Sequence, residues 1–169
     1  MKKLLALLLS LCMVLCAVSA LAEEAAEDEI PALEVEPSYE GVDIAIADTG
    51  VIFSIPSDWV AVEAPEGCLA TFVSADNTIS LSLVLVNQDI DACYEEMLSM
   101  VEAGTAKDIS EVYVNDNYYL LYTSADEMFS YAYLPYSDDY CIVLCFGVAS
   151  ADVESDIPLE ILGTAALAE

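Results

Sequence analysis

Asp48-Thr49-Gly50 is the triplet that aspartic proteases use twice, holding two carboxylates close enough to share one proton. In this chain of 169 residues it occurs once. Val51 follows it where a small residue would be wanted, and it stands between two alternating apolar segments, so it reads as a tight turn. Of six cysteines, Cys12 and Cys16 fall in an apolar N-terminal run, which leaves Cys68, Cys93, Cys141 and Cys145 as the candidates for disulfide formation. On one strand, Cys141 and Cys145 would stand about 13 Å apart, beyond the roughly 7 Å Cα limit for a bridge. They cannot bond each other. Bridges to Cys68 and Cys93 stay open, as do four free buried thiols, since cysteine is among the most buried residue types. A strand-borne Cys-x-x-x-Cys splays its sulfurs apart, so no thiolate metal centre is expected.

Histidine is absent and the three cationic residues are all lysines. No Ser-His-Asp or Cys-His constellation can form, and phosphoryl transfer lacks both a glycine-rich loop and a cationic clamp. What remains for an enzyme is a pair of carboxylates, as in glycoside hydrolysis. With 31 acidic residues, some pair meets that spacing by chance. An extracellular carboxylate-dependent hydrolase is therefore the alternative to a non-enzymatic binding or interaction domain, which is the leading expectation. No cofactor is expected. Calcium is the one ion that the oxygen-rich turns leave open, yet no Asp-x-Asp-x-Asp-Gly loop occurs and Asn115-Asp116-Asn117 and Ser137-Asp138-Asp139 read as turns. The tyrosines are the other resource. Phe129, Tyr131 and Tyr133 share one strand face, and with Tyr113 they are the candidate ligand-binding residues, suited to sugar rings or to a peptide. Such rows also pack under helices.

Charge narrows the partners. Lys2 and Lys3, the apolar run Leu4 to Val18 and Ser19-Ala20-Leu21-Ala22 form a secretory signal peptide over 1–22, so the protein is expected to be secreted and extracellular. Once it is removed, 31 acids face Lys107 alone, a net charge near −30. Such a field repels phosphate backbones and anionic lipid, which excludes nucleic acid and, after cleavage, the membrane surface. Cationic peptides or proteins and carbohydrates are the partners left. The apolar share of 57% supports a real core.

The elements that must position these residues are short strands. Residues 23–40, rich in Glu and Pro, have the composition of a disordered acidic tether, and 41–169 form a single α+β domain. Within it, Val42–Ile46 and Val51–Ile55 predict a hairpin, followed by a Pro-Ser-Asp-Trp turn. Cys68–Ser74 and Thr78–Val86 form the next pair; Ile79, Leu81, Leu83 and Leu85 alternate with Ser80 and Ser82. Cys93, Met97, Met100 and Val101 fall at helical spacing between Asp89, a capping residue, and Gly104. Glu111–Val114 with Tyr118–Thr123, and Met128–Leu134 with Tyr140–Val148, predict two more hairpins. Pro158 opens a C-terminal helix carrying Ile157, Ile161, Leu162 and Ala165. The fold class is an antiparallel sheet meander with helices packed on it.

Phe53-Ser54-Ile55-Pro56-Ser57-Asp58-Trp59, the helix near Tyr94 to Ala103, and Tyr140 to Phe146 leading into the last helix make the chain resemble the PsbP/Mog1-like superfamily over nearly all of Gly41 to Leu167. The resemblance implies an early hairpin, a middle helix, a long antiparallel meander and a final helix. Members of that superfamily are functionally mixed, so it implies no activity and carries over no functional residue.

Overall fold

A computed structural model describes residues 30–46, 49–153 and 155–167. The signal peptide expected at 1–22, the first part of the acidic tether and Asp48 of the Asp-Thr-Gly triplet lie outside them. The strands are β1 (Ala32–Leu33), β2 (Gly41–Ile46), β3 (Val51–Pro56), β4 (Val60–Val62), β5 (Ala70–Val73) and β6 (Ile79–Val86). Helix α1 (Ile90–Glu102) follows. Then come β7 (Ala106–Val114), β8 (Asn117–Ser124), β9 (Phe129–Ser137), β10 (Tyr140–Val148), helix α2 (Ile157–Leu162) and β11 (Ala166–Leu167).

Turn chemistry sets the hairpins. Asn115 and Asp116 both take positive φ, 46° and 68°. That is the type I′ geometry that matches strand twist and that asparagine and aspartate tolerate. Between β5 and β6, Asp76 Oδ1 accepts from Ser74 Oγ and from both the amide and the hydroxyl of Thr78. Helix α1 begins at Asp89, whose carboxylate accepts from the Ala92 amide. It ends in a Schellman closure: Gly104, at φ 71°, donates to the Val101 carbonyl and Thr105 donates to Met100.

Eight strands form one sheet in the order β1-β7-β8-β9-β10-β6-β5-β4, and three form another in the order β11-β3-β2. Every pairing is antiparallel except β1 with β7, which is parallel and makes the large sheet mixed. Strand alternation then sorts side chains into two cores. Leu81, Leu83, Val112, Tyr119, Ile142, Leu144 and Phe146 face the small sheet and α2, meeting Phe53, Ile55 and Ile161. The opposite face presents Leu120, Tyr122 and Cys141 to Cys93 and Met97 of α1. Phe53, Leu81 and Leu144 are fully buried, each stabilising the fold by about 1.5–3 kcal/mol relative to exposure.

Two expectations change. From residue 30 on, the supposed tether is attached to the domain. Ala32 and Leu33 pair with Tyr113 and Val114, Leu33, Val35 and Tyr39 pack on the main core, and the Ser38 amide and hydroxyl both donate to Glu160 of α2 at 2.9 Å. The acidic and proline-rich composition suggested solvation, but alternate apolar residues suffice to lay the segment along the sheet edge. The domain thus starts ahead of Gly41. At the other end the helix is shorter than expected. It stops at Leu162, Gly163 donates back to Leu159, and Ala165 lies beyond it, so that Ala166–Leu167 can pair with Ile52 and Val51 of β3.

Candidate functional site

Helix α1 covers only part of its face of the large sheet. The cluster beneath it takes in β7, β8 and β9 side chains, Cys141 of β10 and Val86 at the end of β6. Beyond that the same face continues over β10, β6, β5 and β4. Register carries Cys145 opposite Ser82, Ser82 opposite Thr71 and Thr71 opposite Val62. One row further, Phe129 lies opposite Gly147, Gly147 opposite Ser80, Ser80 opposite Val73 and Val73 opposite Val60. Cross-strand partners share a face, so these residues line one surface, while the main contacts of α1 lie on β7 and β8.

The surface has the form of a trough. Its floor is small side chains, Ser80, Ser82, Gly147 and Cys145, with Thr71 buried beside them and its hydroxyl 3.0 Å from that of Ser82. One wall is aromatic, with Phe129 43% exposed; the other is aliphatic, with Val60 56% and Val62 42% exposed on the edge strand and Leu69 exposed nearby. Gly147 keeps the floor low. A Cβ there would stand 2.7 Å from Ser80 Oγ and 3.1 Å from the Phe129 ring, so the ring lies down where any side chain would lift it.

The four aromatic residues expected to bind ligand divide. Phe129 and Tyr131 stand together on the wall of the trough. Tyr131 is half-buried and stacked on Tyr122 with centroids 4.4 Å apart and planes 10° from parallel, and its hydroxyl is raised by burial and then by Cys145. Tyr133 belongs to the cluster under α1, 6.1 Å from Tyr122, and burial pushes its hydroxyl up to about 12. Tyr113 is exposed near the β1 edge, in edge-to-face contact with Tyr118 at 5.6 Å. Alternation places Phe129, Tyr131 and Tyr133 on one face; where α1 stops is set by tertiary packing. The valines of β4 carried no signal beyond a short apolar run, although their exposure completes the site.

Carboxylates border the aromatic wall. Tyr131 is raised first by burial and then by Cys145, Tyr122 and Asp126, and Tyr122 and Tyr133 are raised foremost by burial, with Glu96 among the smaller causes. The field at this wall is negative. It favours a cation over an anion.

A second concavity of about 570 Å³ opens between Tyr39, Asp58, Trp59, Asp76 and Ser155. It holds two carboxylates, the minimum for the hydrolase alternative. Asp76 is committed to its turn, and hydrogen bonds from Ser74 and Thr78 hold its carboxyl below the ordinary 3.8. A general acid for glycoside cleavage needs its pKa raised. Asp76 is shifted the other way.

The four cysteines are thiols. Cys93 and Cys141 are buried in one cluster, and the Cys93 thiol donates to Gln88 Oε1 at 3.9 Å. Among the described residues, no group of three or more His, Cys, Asp or Glu side chains is placed to hold a metal ion, and no helix is long and apolar enough to cross a membrane. Lys107 is ion-paired with Glu127.

No protein-family model matches the chain, and no curated protein matches it in sequence. Among solved structures, the chain is similar to the solution structure of cyanobacterial PsbP (CyanoP) from Synechocystis sp. PCC 6803. The TM-score is 0.53 at 12% identity, and the match covers 88% of this chain and 99% of that one. A crystal structure from Bacteroides thetaiotaomicron VPI-5482 aligns with TM-score 0.45 and 16% identity over 71% of this chain and 46% of that one. The chain has a PsbP-like fold: among the described residues, a sheet-rich α+β arrangement with a mostly antiparallel, mixed sheet and two helices.

Proposed function

We propose that the protein is an exported, non-enzymatic binding domain that takes an extended, cationic stretch of polypeptide on the open half of its large sheet. The observation that carries this is the trough itself: a floor of small polar side chains between an aromatic and an aliphatic wall, away from the main contacts of α1. Apolar surface of this kind with a polar floor suits alternating side chains, which drop between the walls while the backbone lies along them. A peptide fits better than a sugar. One face of the Tyr131 ring is stacked on Tyr122, so Phe129, 43% exposed, is the more open aromatic side chain of the wall. Cation preference follows from Asp126 and Glu96 beside the wall and from the net charge of the chain.

The test uses a synthetic decapeptide of alternating lysine and valine, with the glutamate–valine decapeptide as control, titrated into the isotopically labelled protein. The lysine peptide is expected to shift Phe129, Tyr131, Ser82, Val60 and Val62 together. Phe129→Ser is expected to weaken binding about tenfold, in line with an anchor worth more than 1 kcal/mol. Shifts scattered over acidic surfaces remote from the trough, or equal binding of the glutamate peptide, would refute the reading.

A further inference from the structure

We propose that Cys93 and Cys141 form a disulfide in the exported protein, clamping the first turn of α1 to the start of β10, while Cys68 and Cys145 remain thiols. The two sulfurs come from elements far apart in sequence, yet the fold brings them together by a short path. Cys141 lies opposite Val86, the last residue of β6. The chain leaves β6 there and starts α1 at Ile90. The Asp89 carboxylate and carbonyl, accepting from Ala92 and Cys93, fix the helix start so that Cys93 turns inward. Cys93 is 2% and Cys141 0% exposed, in one apolar cluster with Met97 and Leu120, and after burial it is Cys93 that contributes most to raising the Cys141 thiol. One partner sits on a capped helical turn, the other on a strand paired on both sides.

The two cysteines of β10 are too far apart to bond each other, Cys145 being four residues along the strand from Cys141, about 13 Å. Cys68 lies just ahead of β5, a strand separated from β10 by β6, and two interstrand spacings are about 9.5 Å against a bridging range of about 7 Å. Its thiol still acts on Cys145, which makes Cys68–Cys145 the competing bridge.

Formation needs a disulfide-bearing oxidant, such as glutathione disulfide or an oxidised dithiol oxidoreductase. One cysteine thiolate attacks the oxidant's S–S bond, giving a mixed disulfide and releasing one thiol. The second attacks the mixed disulfide, closing the Cys93–Cys141 bond and releasing the other. Two S–H bonds are lost, one S–S bond is gained, and both protons and both electrons leave on the two thiols of the reduced oxidant. Burial pushes the Cys141 thiol up to about 12 and raises Cys93 as well. In the folded, reduced protein neither is a competent nucleophile. The bridge therefore closes while α1 is still undocked, and docking then shields it from reductants.

The experiment refolds the full chain in a glutathione thiol–disulfide buffer, alkylates it in denaturant, cleaves it with a glutamate-specific protease and maps the products by mass spectrometry. The expected product links Cys93 to Cys141, with Cys68 and Cys145 alkylated. Cys68→Ser with Cys145→Ser keeps the link, and Cys93→Ser loses it without creating another. Because Cys93→Ser could impair folding, the double variant and the unmodified chain carry the decision. Alkylation of Cys93 and Cys141 in the oxidatively refolded chain, or a bridge to Cys68 or Cys145, would overturn the proposal. Protein folded in its reduced form is expected to oxidise at least about tenfold more slowly than refolding protein. Equal rates would overturn closure before docking.

Discussion

Asn115 offers the sharpest quantitative test of how the domain is assembled. Its Oδ1 accepts from the Val35 amide at 2.8 Å, and its Nδ2 donates to the carbonyls of Val35 and Gly163, the latter at 2.9 Å. One side chain thus joins the β7–β8 turn, the β1 segment and the end of α2. Its φ of 46° complicates a replacement by alanine, which would add left-handed strain to the loss of bonds. Asn115→Gly removes the side chain while keeping the backbone at ease. Three hydrogen bonds at about 0.5–1.5 kcal/mol each, partly exposed, give an expected loss of about 2–3 kcal/mol. Asp116→Gly, at φ 68° and without these bonds, serves as the control and is expected to stay within about 0.5 kcal/mol. Urea unfolding followed by the fluorescence of the single tryptophan, Trp59, reads both. With a urea slope of about 2 kcal/mol per molar, Asn115→Gly lowers the midpoint by about 1–1.5 M. Amide exchange at Tyr113 and Asn115, which donate to Pro31 and Leu33, is expected to accelerate with it. A midpoint within about 0.2 M of the unmodified chain, or an equal loss in Asp116→Gly, would refute the three-way junction.

Tyr119→Phe removes a buried hydroxyl that donates to the Leu162 carbonyl at 2.7 Å. Since Ala165 also donates to that carbonyl, the expected cost is only about 1 kcal/mol by thermal unfolding, and a cost above about 3 would contradict this sharing. Gly147→Ala forces the Phe129 ring and Ser80 aside, so affinity for the lysine–valine decapeptide should fall about as much as in Phe129→Ser; unchanged affinity would detach the ring from the site. Asp76 and Asp126 are held below 3.8 by hydrogen bonds, foremost from Ser74 and Ser124. Because both folded pKa values are depressed, their contribution is present above the unfolded value and is lost as pH falls through the folded ones. Carboxyl-carbon NMR titration is expected to give both midpoints below 3.8, and midpoints at or above it would contradict the turn geometry.

The hairpins and α1 were legible because their signals are local. Asn115-Asp116 supplies the turn, Ser80 and Ser82 alternate with Leu81 and Leu83, and Asp89 and Gly104 bracket a helical period. What could not be read depends on contacts between distant segments. Ala32 and Leu33 sit in acidic surroundings and become a strand only because the β7 edge is free to receive them. Ala166 and Leu167 have too few residues to show a period, and pair with β3 across more than a hundred positions. In the site, alternation puts Phe129, Tyr131 and Tyr133 on one face, but the boundary of α1 decides which of them meets solvent. The four cysteines likewise gave no sign of which lie close until the path from β6 into α1 brought Cys93 into one cluster with Cys141.

The large sheet closes on one side with the two residues of β1 and on the other with the three of β4. An edge strand is a template on which another chain can continue the hydrogen-bond ladder, and length governs how well it does so. Among the described strands, β1 pairs with only Tyr113 and Val114 of the nine-residue β7, and β2, six residues long, is an outer strand of the small sheet. The ladder open to a further strand is thus set by β7 and β2 rather than by the two short end strands, and those edges are where strand addition between copies would start.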